Sequence, residues 1–193
     1  NHDNLISRPG TQYGGDRRLV VLAETLSLLA PGTPILYYGN EVGMTGQSGT
    51  DLNLRQPMDW GAVQTQSGSP DSILSWCRYL IQARNAYPAL RGTYATLATD
   101  LGPAKALAYV RGAGTDRVIV VANLTGNTET VVLQNLSAQG IASGTSSRAI
   151  LGNPQYDGTV NGSQYAVASL PAHACRVLYL GSAFKGNLHG DIQ

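Results

Sequence analysis

Apolar residues recur at three- and four-residue spacing along residues 16–30 (DRRLVVLAETLSLLA). Leu19, Leu22, Ala23, Leu26, Leu29 and Ala30 form a helical stripe that Pro31-Gly32 stops. Residues 34–39 (PILYYG) are instead a short continuous apolar run between turn residues, the pattern of a strand buried on both faces of a parallel sheet. A polar loop over about 40–69 follows. Ser69-Pro70-Asp71 then supplies a cap, a proline suited to a first turn and an early acid, opening a second stripe through Ile73, Leu74, Cys77, Leu80, Ile81 and Arg84 that ends near Tyr87-Pro88. Residues 1–91 therefore read as strand end, helix, strand, helix.

Beyond Arg91 the helical period disappears. Alternating or β-branched runs over 107–111, 117–122, 129–133, 165–170 and 175–180 predict antiparallel strands, with turn signals at 111–116 and at Asn161-Gly162. These runs place a small β-sandwich over about 92–182, and residues 183–193, which have no period, read as a tail. An αβ unit takes roughly 30 residues, so the first 91 residues hold about two of them. A complete (β/α)8 barrel needs about 250 residues, and a parallel sheet must be covered on both faces. The front of the chain is therefore expected to begin mid-fold and to dock on further polypeptide.

Composition narrows the partners. Thirteen basic residues, only two of them lysine, face twelve acidic ones in 193 residues, for a net charge of +1. No basic stripe exists to neutralise nucleic acid or an anionic membrane surface, and no apolar run approaches the ~20 residues of a spanning helix. A near-neutral chain suits a neutral partner. Few lysines and loops rich in Gly, Ser and Thr lean towards a secreted or periplasmic location, with the cytoplasm left open.

Candidate chemistry begins at Asn1-His2-Asp3, placed where a strand would end and a βα loop begin. A carboxylate beside a neutral donor can hydrogen-bond vicinal sugar hydroxyls and stabilise an oxocarbenium-like transition state, although so short a string also suits a simple helix cap. Glutamate occurs only at 24, 41 and 129. Glu41, just after the predicted strand, is the one residue-level candidate for a proton donor. No His, Cys or Asp spacing around His173 or His189 suggests a metal site.

The order of the short motifs matters more than any one of them. Asn1-His2-Asp3, Pro31-Gly-Thr-Pro-Ile-Leu-Tyr-Tyr-Gly39, Glu41-Val-Gly-Met44, Arg55-Gln-Pro-Met-Asp-Trp60, Arg84-Asn-Ala-Tyr-Pro-Ala-Leu90 and SLPAHACRVLYLG at 169–181 follow one another. This set resembles the C-terminal part of the α-amylase family of glycoside hydrolases, family 13, near its oligo-1,6-glucosidase and neopullulanase-like side. The resemblance implies the C-terminal portion of a (β/α)8 barrel over 1–91, running from the end of the seventh strand to the eighth helix, then the β-sandwich over 92–182. It implies a retaining hydrolase acting on α-1,4-glucosidic bonds, as in starch degradation. Asp3 would be the transition-state-stabilising carboxylate and His2 a ligand of sugar hydroxyls. Arg55 would help close the pocket around a terminal glucose, while Trp60 would either stack on sugar or pack.

The family's nucleophile and general acid would lie upstream, so this chain by itself is expected to be inactive. Its implied partners are an α-glucan or malto-oligosaccharide and the N-terminal part of the same enzyme. No cofactor is expected in the chain, and the Ca2+ that the family often binds would be held upstream of Asn1. The position matching Glu41 is not the family's proton donor, which leaves Glu41 as a loop-fixing residue. Two departures stand out: an arginine common three positions after the aspartate is Ile6 here, with Arg8 two places further on, and Asn40 stands where a glutamate commonly precedes Glu41. Cys77 and Cys175 fall on elements that adjoin in the family, so a disulfide is open to them, though two buried thiols are favoured. An α-glucosidase or transglycosylase of the same family is the alternative activity. A non-catalytic carbohydrate-binding or scaffold relative is the alternative class.

Overall fold

The computed structural model describes residues 7–191. The chain divides into two compact units, 1–81 and 82–193, with the boundary inside one helix. The first unit holds α1 (Pro9–Gln12), α2 (Arg17–Leu29), α3 (Asp51–Leu54), α4 (Trp60–Ser67) and most of α5 (Ile73–Ala86). Asp16 caps α2 by accepting from the Arg18 amide, Thr50 caps α3 through Asn53, and Asp59 caps α4 through Ala62. Each short polar side chain takes up an amide that the first helical turn leaves without a partner.

Helix α2 forms where the stripe placed it, but its buried face is rotated. Val20, Val21, Leu22, Glu24, Thr25, Leu28 and Leu29 are buried, while Leu19, Ala23, Leu26 and Ala30 stay half-exposed. Two polar residues on the inner face are accommodated by local bonds. Thr25 donates to the Val21 carbonyl at 2.7 Å and accepts the Trp76 indole N–H at 3.0 Å, which joins α2 to α5 through a satisfied buried polar pair. On α5 the buried face runs through Trp76, Cys77, Leu80 and Ala83, and Ile81, expected on the stripe, lies on the exposed side. A small core of Val42, Met44 and Leu74, with Met58, Ala62 and Val63 against it, fills the space beside α4.

Residues 34–39 are the main departure. They form no strand among the described residues, and Ile35 is 83% exposed. A strand exists only where a neighbouring strand takes up its N–H and C=O groups, so an apolar run is not by itself sufficient.

The second unit is β-rich. Strands β1 (Tyr94–Thr99), β2 (Ala106–Ala113), β3 (Asp116–Asn123), β4 (Glu129–Gln134), β5 (Ser146–Leu151), β6 (Gly158–Thr159), β7 (Tyr165–Leu170) and β8 (Cys175–Leu180) make one antiparallel sheet in the order β6-β5-β8-β3-β2-β1-β4-β7. All five predicted runs are strands. The expected sandwich of separate sheets is corrected to a continuous sheet, because β1 pairs with β2 over Tyr94 to Leu97 and then with β4 at Ala98 and Thr99. The central β8 is buried along its whole length, as is β3 from Val118 to Asn123. This is why their sequences read as apolar runs rather than as an alternation.

The segment read as a tail is an ordered strap. Strand β6 covers only Ser146 and Ser147 of β5, and the remaining edge is taken by the chain end: Leu188 N–H bonds to the Ile150 carbonyl at 2.8 Å and Gly152 N–H to the His189 carbonyl at 2.9 Å. The Asn187 amide adds bonds to the Ala149 and Gly152 carbonyls. Arg176, 1% exposed, anchors the end of this strap through a 2.8 Å ion pair with Asp191. Its guanidinium also donates to the Ala168 and Ser169 carbonyls and lies over the Tyr156 ring.

Removing one member of a buried ion pair leaves the other charge uncompensated. Asp191→Asn is therefore expected to lower the stability of this unit by about 2–4 kcal/mol, read as an earlier urea midpoint. A midpoint equal to wild type would refute the anchoring role.

Candidate functional site

His2 and Asp3 lie outside the described residues. The described chain begins at Ser7, and its first residues are bound to the loop that leads to Arg55. Arg8 N–H bonds to the Gly46 carbonyl at 2.8 Å, the Gly46 N–H to Thr11 Oγ1 at 2.7 Å, and the Ser48 N–H to Ser7 Oγ at 3.1 Å. Glycine is required on both sides of this seam. A Cβ on Gly10 would stand 2.5 Å from the Gly43 carbonyl oxygen, and one on Gly46 would stand 2.6 Å from that of Asn53.

The Arg8 side chain is 3% exposed and reaches three acceptors on the loop. Nη1 donates to the Tyr38 carbonyl at 2.6 Å and to Asn40 Oδ1 at 3.3 Å, and Nη2 donates to the Leu54 carbonyl at 2.7 Å. The guanidinium also lies 4.5 Å from the centre of the Tyr37 ring and 4.9 Å from that of Tyr38, a desolvated cation–π arrangement that a lysine ammonium reproduces poorly. This is the arginine that stands two places beyond the expected position, and its role here is to join two segments.

Arg55 follows α3 at the surface. Its guanidinium pairs with Asp51 at 3.0 Å, one helical turn back. Exposed pairs of this kind contribute little to stability. Trp60, the first residue of α4, is 72% exposed, so it packs into no core of this unit. Met58 does pack against the Val42, Met44 and Leu74 cluster.

Behind the loop lies a buried acidic patch that the sequence reading missed. Glu24 on α2 is 4% exposed; burial raises its pKa above the ordinary carboxylate value, a hydrogen bond from the Asn40 amide opposes the shift, and nearby Glu41 adds to it. Asn40 thus links Arg8 to Glu24. Glu41 Oε2 is buried and has no hydrogen-bond partner among the described residues. Cys77 faces the same patch, and burial, then Glu24 and Glu41, push its thiol pKa up. Cys77 and Cys175 are both buried and not joined in a disulfide, a setting that makes a thiol a poor nucleophile. The available signal was an acid set inside an otherwise apolar helix. Among the described residues no cluster of three His, Cys, Asp or Glu side chains is arranged to hold a metal, and no helix is long and apolar enough to cross a membrane.

In sequence and in superposition the chain is similar to carbohydrate-active enzymes. A trehalose synthase from Thermus thermophilus is 30% identical over 160 residues, covering 66% of this chain and 17% of that protein. A cyclomaltodextrinase from a Bacillus species is 33% identical over 124 residues, covering 64% and 21%. The solved structure of a debranching enzyme from Nostoc punctiforme superposes with a TM-score of 0.66 at 29% identity, over 91% of this chain and 33% of that one. No family model matches the chain. These similarities are nonetheless consistent with a C-terminal fragment of an α-amylase family, glycoside hydrolase family 13, enzyme. The match spans only about a fifth of the length of the curated relatives.

The raised pKa of Glu24 has a defined consequence. The folded chain binds this proton more tightly than the unfolded chain, whose value is near 4.5, so the stabilising contribution is complete below that pH and is lost as pH rises through the folded-state pKa. Glu24→Gln keeps an acceptor for Asn40 and removes the charge. Its stability relative to wild type is expected to increase between about pH 4 and about pH 8 in urea titrations. A difference independent of pH would show that Glu24 is ionised in both states.

Proposed function

We propose that this chain is the part of a retaining α-glucan hydrolase of the α-amylase type that supplies Asp3 as the transition-state-stabilising carboxylate, His2 as a sugar-hydroxyl ligand and Arg55 as a pocket-closing residue. Residues 1–91 are the last part of the catalytic (β/α)8 barrel in this reading. The nucleophile and general acid come from polypeptide beyond these 193 residues, so the chain alone is inactive. The observation that carries the proposal is the seam between residues 7–11 and 46–48. It binds the backbone from Ser7 onward, four positions after Asp3 in the chain, to the loop that bears Arg55, which is what two groups serving one sugar site require. Two further features agree with a barrel reading: Ile35 is exposed on the apolar run 34–39, and α2 keeps a half-exposed flank of Leu19, Ala23 and Leu26. Both are apolar surfaces that a neighbouring strand and a parallel sheet would cover.

A carboxylate near the anomeric centre acts on an oxocarbenium-like transition state by charge, without taking a proton, while a separate pair of carboxylates about 5–5.5 Å apart performs the displacement with retention. Arg55 has the forked donors suited to hydroxyl pairs or to an acidic partner, and it lies at the surface beside Asp51. A transglycosylase is the second reading, favoured by the similarity to a trehalose synthase.

In the complete protein, Asp3→Asn is expected to lower kcat on malto-oligosaccharides by at least about a hundredfold, the scale of losing one electrostatic stabiliser of the transition state. Wild-type turnover in that variant would sink the assignment. Following the products from maltose and from long amylose over time separates hydrolysis from transglycosylation.

A further inference from the structure

The backbone on both sides of Arg55 is pinned by side chains that do not touch one another by accident. The Leu54 carbonyl accepts from Arg8 Nη2 at 2.7 Å and from the Tyr37 hydroxyl at 3.2 Å. The Gln56 carbonyl accepts from the Tyr38 hydroxyl at 2.8 Å. The Arg55 N–H is held by the Asp51 carbonyl at 2.8 Å. The Leu54–Arg55 and Gln56–Pro57 peptide groups, one on each side of Arg55, therefore have fixed partners, while the Arg55 guanidinium lies at the surface beside Asp51. The three donors form one cluster: the Tyr37 and Tyr38 ring centres are 4.8 Å apart, with the Arg8 guanidinium against both.

The partners that the buried Arg8 requires could lie anywhere on the first unit, and here they lie on the loop that carries Arg55. Residues 51–57 bury one apolar side chain, Leu54, and the Asp51–Arg55 pair is exposed. We propose that Arg8, Tyr37 and Tyr38 are positioning residues that form a pedestal for Arg55 and set where its guanidinium meets a bound sugar; this rests on the reading of Arg55 as a substrate contact. Long flexible side chains lose rotamer freedom when they engage a ligand. A pedestal that immobilises the backbone beneath Arg55 lowers that cost and restricts the directions in which its fork can point. Arginine suits position 8 because its planar fork donates to two loop carbonyls from separate nitrogens while lying against two rings, an arrangement that a compact ammonium reproduces poorly. Small side chains beneath it are required as well, since a Cβ on Gly46 would stand 2.9 Å from Arg8 Cδ.

Tyr38→Phe separates this role from folding, because it removes one hydroxyl bond at the surface and keeps the ring. In the complete protein, with maltotriose as substrate, it is expected to raise KM about threefold to tenfold, the worth of one hydrogen bond, and to leave kcat within about twofold. Amide exchange over 54–58 is expected to accelerate. In an Arg55→Ala background the same substitution is expected to have no further effect on KM, the signature of two residues acting through one contact. Arg8→Lys is expected to show the same KM-specific loss, larger in size. Unchanged exchange over 54–58 in Tyr38→Phe overturns the pedestal whatever the kinetics. Accelerated exchange with an unchanged KM, while Arg55→Ala raises KM, overturns the positioning role. An Arg55→Ala protein with wild-type KM overturns the substrate contact itself and the positioning role that depends on it. Additive losses in the double variant show that Tyr38 acts elsewhere than through Arg55.

Discussion

A guanidinium cannot be taken out of water without partners for its charge and its N–H groups, and much of the first unit can be understood as the set of partners that Arg8 requires. The carbonyls of Tyr38 and Leu54, the amide oxygen of Asn40 and the faces of two tyrosine rings converge on it from a single loop. That convergence brings residues thirty to nearly fifty positions away in the chain against the backbone that follows His2-Asp3. Gly10 and Gly46 allow the approach, since a side chain at either would meet backbone oxygen.

The same interaction extends inward. Asn40 receives from Arg8 on one side and hydrogen-bonds Glu24 on the other, so a cation near the loop is linked to an acid in the helix interior. Glu41 and Cys77 share that environment, where burial and like charge favour the neutral forms of Glu24 and the thiol. A patch of this kind is poor as a source of catalysis and useful as a rigid backing. The loop is held from behind by polar bonds and from below by the Val42, Met44 and Leu74 cluster, and its outer surface carries Arg55 and Trp60.

The β-rich unit applies the same logic to a different problem. Its Arg176 is as deeply buried, and the partners are the Asp191 carboxylate, two carbonyls and the Tyr156 ring. Here the consequence is closure of an edge: the chain end lies along β5 where β6 is too short to cover it. An exposed edge offers unpaired backbone groups to other chains, and the strap removes them. In both units one buried arginine gathers the backbone of an irregular segment around its donors.

Hydrophobic period alone pointed to the helices α2 and α5 and to five strands of the sheet, because each carries a local repeat whose partners the fold supplies. Ordered short motifs such as PGTPILYYG and RQPMDW were enough for the homology. The sequence did not reveal which face of α2 is buried, that 34–39 lacks a strand partner here, that β1 joins all eight strands into one sheet, or that residues 183–191 are a strap. Each of those depends on hydrogen bonds or packing between residues far apart in the chain. Arg8, Tyr37, Tyr38 and Glu24 carried no periodic signal at all. A lone arginine, a tyrosine pair and an acid in an apolar helix become a connected site only when the tertiary fold brings their donors and acceptors within about 3 Å of one another.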